Sequence, residues 1–170
     1  MANCILAIDP GLTGAWALYW PETGNLKIGD MPLVEVGPKA HEVDGSKLAQ
    51  VAREKNITLA IIEKVHSMPK QGVASTFKFG QAYGAALACL QAWSLPVYKV
   101  PPQVWKKALG LTGKDKDAAR LKALEAFPAF AFYFARKKDH GRAEAALLAL
   151  WGANAEEACR AVALPMEAAE

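Results

Sequence analysis

The sequence predicts an α/β protein: a five-stranded mixed sheet, three antiparallel strands followed by parallel ones, flanked by helices. Three observations predict it. The 170 residues are 52% hydrophobic and 22% charged, with 13 Gly and 10 Pro, an ordinary globular mix that excludes disordered, collagen-like and repeat classes. Residues 4–31 hold three short apolar runs separated by tight turns, the pattern of a meander. Beyond them, apolar runs alternate with helical stretches, and strands joined through helices pair in parallel.

Taken in order, Cys4 to Ile8 is a continuous apolar run that ends at Asp9 and is stopped by Pro10-Gly11. Pro10 to Gly14 is a tight turn, Ala15 to Trp20 a second strand, Pro21 to Gly24 a turn, and Leu26 to Met31 a third strand. Residues 32–45 hold Pro, Gly and few periodic apolars and read as a loop. Ser46 caps a helix through about Lys55. Thr58 to Glu63 (TLAIIE) is a fourth buried strand ending in an acid, followed by a loop from His66 to Gly72. A long helix spans about Ala74 to Trp93, and Leu95 to Val100 is the fifth strand. Pro101 and Pro102 open a short helix through Leu109, because Pro is tolerated in a first turn. Asp115 or Lys116 starts a helix to about Ala126, the aromatic run Phe127 to Tyr133 carries no clear period, and a last helix covers about His140 to Ala153. The expectation is one domain over residues 1–160 with a loosely held tail, 161–170.

No apolar run approaches the roughly 18–20 residues needed to cross a bilayer, so no membrane partner is expected, and the N-terminus lacks a basic n-region. Cys4, Cys89 and Cys159 are odd in number and far apart, with no metal-type spacing. That argues against a disulfide framework or a zinc site and fits a reducing cytoplasm. The net charge is only +3, but residues 99–142 carry 11 of the 20 Lys and Arg against four acids. This +7 segment suggests a phosphate-rich partner, with a solvated face as the plainer alternative.

Asp9 and Glu63 each end an apolar strand just before a loop. If the first and fourth strands are adjacent and parallel, both carboxylates emerge at one edge of the sheet, while Lys64 points to the opposite face. Two close carboxylates raise each other's pKa, and a divalent cation is the natural way to keep both ionised; oxygen ligands suit Mg²⁺ or Mn²⁺. A third group lies at 139–144, where His140 and Glu144 are four apart and share a helical face. Asp139 joins them only if it precedes the helix as a cap. Glu144 stands where an otherwise apolar helix begins to bury, which is costly unless compensated, and a metal would compensate it. Singly, Asp9 reads equally as a turn residue, Glu63 as a surface acid, Asp139 as an N-cap and His140 as an exposed cap.

The segments IDPGLTGAW (8–16), AIIEKVHSMP (60–69), STFKFGQAYGAALA (75–88), VYKVPPQVWKKALGLTGKDKDAA (97–119) and KKDHGRAEAALLALWG (137–152) occur in an order that resembles the RuvC-type Holliday junction resolvases, in particular their short phage-like forms. The resemblance implies an RNase H-like fold, a homodimer and metal-dependent cleavage of four-way DNA junctions. It implies two divalent ions per site, Mg²⁺ with Mn²⁺ able to substitute, held by Asp9, Glu63, Glu144 and either Asp139 or His140. The family's bacterial form has an Asp or His three residues before its last acid. Here Glu144 matches that acid and Gly141 stands at the earlier position, so Asp139 or His140 must substitute. The resemblance also places His66 where an aromatic stacks on a base at the junction. Expected DNA contacts are His66, Lys70, Lys106, Lys107, Lys114, Lys116, Arg136, Lys137, Lys138 and Arg142, whose charges would neutralise phosphates without reading sequence. Gly80, Gly84 and Ala88 form a small-residue stripe read as tight packing on the sheet, or as the dimer contact the family favours. Phe77 and Phe79 are expected in or near the core, and Phe130, Phe132, Tyr133 and Phe134 as core more than as a stacking platform. The rivals are an actin-like ATPase, whose first phosphate loop Asp9 to Gly14 resembles but whose second lobe 170 residues leave no room for, a branched-DNA nuclease of broader specificity, and a non-cleaving junction-binding module.

Overall fold

A computed structural model describes residues 3–66, 72–156, 158 and 159. The expected tail 161–170 and Lys70 lie outside the described residues, as does the side chain of Lys116. The chain forms β1 (Cys4–Asp9), β2 (Ala15–Trp20), β3 (Asn25–Asp30), β4 (Leu33–Gly37), β5 (Ala40–Val43), α1 (Gly45–Ala52), β6 (Ile57–Glu63), α2 (Val73–Ala92), β7 (Val97–Val100), α3 (Pro102–Ala108), α4 (Lys116–Ala126) and α5 (His140–Asn154), with 3-10 turns at Pro128–Phe134 and Lys137–Asp139.

The main sheet has the order β3-β2-β1-β6-β7. β1, β2 and β3 pair antiparallel, and β1–β6 and β6–β7 pair parallel. Because side chains alternate across a strand, β1 feeds two cores. Ile5 and Ala7 join Leu59 and Ile61 on the side covered by α3, α4 and α5. Cys4, Leu6 and Ile8 join Ala60 and Ile62 on the side covered by α1 and α2. Burial on both faces explains why β1 and β6 read as continuous apolar runs rather than alternating ones. α5 is apolar nearly all round, and Gly152 brings its backbone against Ile61. This is the mixed, helix-flanked RNase H-like architecture.

Several expectations need correction. The loop assigned to residues 32–45 contains the hairpin β4–β5. Its Val34 and Val36 are β-formers that lie exposed on a two-stranded ribbon, so no burial pattern betrays the strand. α1 is capped by Asp44, whose carboxylate accepts from the Lys47 N–H at 3.0 Å, and not by Ser46. Gly80 and Gly84 have open space where a Cβ would point, so the small stripe does not pack on the sheet. Ala82, Ala86, Cys89 and Leu90 do that. Phe77 is 73% exposed. Phe134 is fully buried and Phe130 and Tyr133 pack against the core as expected, whereas Phe132 is 66% exposed. The three cysteines are free and buried, and burial pushes the Cys4 thiol up to about 12. Among the described residues no helix is long and apolar enough to cross a membrane.

Candidate active site

Ile8 and Ile62 are register partners in the parallel β1–β6 pair, so Asp9 and Glu63 leave the sheet side by side. Both are one residue past side chains that face α1 and α2, so both turn to the α3 and α5 side. Glu63 is also opposite Val100 in β7, and the Lys64 N–H donates to the Val100 carbonyl at 2.7 Å. Pro101 and Pro102 then turn the chain into α3, which carries Trp105 and Lys106 across that face. Trp105 is fully buried, and its Nε1–H donates to Glu63 Oε2 at 2.8 Å.

α5 supplies the third carboxylate. Lys106 Nζ donates to Glu144 Oε1 at 3.0 Å, and this ammonium also feels the charges of Glu63 and Asp9. Burial alone would lower the Lys106 pKa, but the three acids outweigh it and hold it raised. The Glu63 carboxyl is held above its ordinary value, chiefly by burial and further by Glu144. Trp105 and Lys106 oppose that rise. Glu144, expected to need a metal for compensation, is compensated here by Lys106, which was expected to contact phosphate.

The acid pair at the start of α5 splits. Asp139 is 4% exposed and accepts from the Arg136 N–H at 2.9 Å and from its guanidinium at 2.8 Å. Arg142 stands 3.9 Å from it and forms a two-pronged pair with Asp30. The Arg136 hydrogen bond is the largest cause holding the Asp139 pKa below the usual carboxylate range. Asp139 therefore faces arginines, and it makes no side-chain cap to α5. Two of the expected DNA contacts, Arg136 and Arg142, are engaged with acids. His140 is the first residue of α5, half-buried, and one turn before Glu144. Gly141 stands where the family pattern puts its first ligand, and a Cβ there would meet the Thr13 carbonyl oxygen at 2.7 Å. The helix approaches the β1–β2 turn so closely that position 141 admits no side chain.

Next to the carboxylates a cleft of about 460 Å³ is lined by Glu63, His66, Phe79, Gln103, Lys106 and Lys114, among others. His66, Lys107, Lys114, Lys137 and Lys138 are exposed. Sequence reasoning missed Trp105 and Asp30. A tryptophan beside Lys106 in a helix that starts at the end of β7 was the signal for the first; nothing local marks the second.

Among the described residues, no three acid, His or Cys side chains stand close enough together to hold a metal as they are. The donor chemistry nonetheless fits a divalent cation. The Lys106 ammonium feels the charges of Glu144, Glu63 and Asp9 together, and the oxygens of such acids suit Mg²⁺ or Mn²⁺.

No family model matches the chain. The crossover junction endodeoxyribonuclease RuvC of Nitratidesulfovibrio vulgaris, strain Hildenborough, is 34% identical over 118 residues, 65% of this chain and 68% of that protein. The chloroplastic Holliday junction resolvase MOC1 of Chlamydomonas reinhardtii is 35% identical over 89 residues, 52% of this chain and 10% of that protein. T. thermophilus RuvC in complex with a Holliday junction substrate superposes with a TM-score of 0.62 at 18% identity, covering 92% of this chain and 97% of that one.

Proposed function

The chain belongs to the RuvC family of crossover junction endodeoxyribonucleases, and on that premise we propose that it resolves four-way (Holliday) DNA junctions by paired nicks through metal-dependent phosphodiester hydrolysis. The observation that carries this reading is that Asp9 and Glu63 leave neighbouring strands side by side while Glu144 pairs with Lys106, whose ammonium feels all three charges. Asp9, Glu63, Glu144 and His140 would hold two ions, Mg²⁺ or Mn²⁺. When bound, such ions would supply Lewis-acid activation of water and charge stabilisation for phosphodiester hydrolysis.

The protein's own residues set the stage. Trp105 fixes one oxygen of Glu63 and keeps that carboxyl from rotating. Lys107, Lys114, Lys137 and Lys138 are exposed and bind phosphates without reading sequence. His66 borders the cleft, where its ring can stack on an unpaired base. Val73, Phe77, Gly80, Gly84 and Ala88 form an exposed, small-residue and apolar face along α2. A second copy of the chain covers that face in our reading. The homodimer then presents two sites to two strands of one junction, within a single nuclease domain of residues 1–160 per subunit.

The test is cleavage of a synthetic four-way junction in Mg²⁺ or Mn²⁺. Wild type nicks two strands, and Asp9→Asn and Glu63→Gln do not; variants that cut as well as wild type would refute the reading. A second reading, junction binding without cleavage, draws on Asp139 being held by Arg136. It predicts tight binding and no nicks in either metal.

A further inference from the structure

Lys106 is held in place by its neighbours. Trp105, fully buried and hydrogen-bonded to Glu63, anchors the middle of α3. The Lys106 ammonium lies 5.1 Å from the Trp105 ring centroid and 3.0 Å from Glu144. The ammonium is thus paired with Glu144 and within electrostatic reach of Glu63 and Asp9. A divalent ion on the same oxygens would be repelled by an ammonium left beside them. Lys106 also lines the cleft shared with His66 and Lys114, so an ammonium released from Glu144 is already beside that cleft.

We propose that Lys106 is the resident counter-ion of the carboxylate pocket, exchanged for the divalent metal and thereby released to grip a DNA phosphate in the cleft. This rests on the hydrolytic reading of the same pocket. Metal and DNA then bind cooperatively. Each draws on the state in which Lys106 has left Glu144, and such coupling is reciprocal.

Mn²⁺ binding to the DNA-free protein, followed by electron paramagnetic resonance, tests the exchange. Lys106→Met should bind Mn²⁺ roughly 10-fold more tightly than wild type, the size of one charge-assisted contact removed from competition. Lys55→Met, an exposed lysine outside the site, should match wild type. Lys106→Gln should give the same sign as Lys106→Met, which guards against a packing artefact, since loosened packing would weaken binding instead. Equal or weaker Mn²⁺ binding in both Lys106 variants overturns the exchange and leaves the pocket reading standing. Absence of Mn²⁺ binding in every protein removes both. In a second arm, junction affinity is measured against salt in Ca²⁺ and in EDTA. The wild-type slope should steepen by about 0.9 more than that of Lys106→Met, the signature of one added phosphate contact. Equal changes in the two proteins contradict the release to phosphate.

Discussion

Two acidic clusters flank the start of α5, and they are built on opposite principles. On one side Glu144 pairs with Lys106, whose ammonium also feels Glu63 and Asp9. On the other, Asp139 and Asp30 are matched by Arg136 and Arg142 in charge-assisted hydrogen bonds of 2.6–3.2 Å. The second cluster is balanced and ties β3 to α5 and to the turn before it. In the first, Glu63 sits above its ordinary pKa because burial disfavours its ionised form. A carboxylate with its own guanidinium is doing structural duty. A carboxylate whose ionised form burial disfavours is available for chemistry.

Substitutions should separate the two clusters cleanly. The largest effect is expected from Asp9→Asn, which should lower the rate of junction cleavage by roughly 10³-fold or more while leaving the melting temperature near wild type. His140→Ala should follow, weakening Mn²⁺ binding by about 10- to 100-fold with little change in folding, as measured by metal titration and thermal melts. Asp139→Asn should show the reverse pattern, with stability down by about 1–3 kcal/mol in denaturant titration and Mn²⁺ affinity retained. Its pH dependence has a definite sign. The Asp139 pKa is lowered in the folded state, so its stabilisation is present above the unfolded value of about 4 and is lost as pH falls through the folded value below that. Asp139→Asn should therefore flatten the acid limb of a stability profile below about pH 4.

Part of this division is legible in the sequence and part is not. Asp9 and Glu63 end strands that are buried on both faces, so apolar runs stopped by an acid and a loop expose them directly. The parallel neighbour relation follows from the helical connection between them. The roles of Lys106 and Asp139 do not follow. A sequence shows that Lys106 is charged but not that α3 lays it on Glu144, 38 residues away. Asp139 and Arg136 are three apart, a spacing that marks a local pair, yet the competing resemblance drew Asp139 into the metal site. Arg142 reaches Asp30 across 112 residues, a distance that no local pattern encodes. Gly141 was visible as a departure from the family spacing, but its cause, the Thr13 carbonyl beneath it, exists only once α5 meets the β1–β2 turn.

A crystal soaked in Mn²⁺, with the metal located by its anomalous scattering, compares the two clusters in one experiment. Density is expected between Asp9, Glu63, Glu144 and His140, with Lys106 moved off Glu144 and nothing at Asp139 or Asp30. Manganese beside Asp139, or a soaked crystal in which Lys106 still holds Glu144 and no metal is bound, would contradict that expectation.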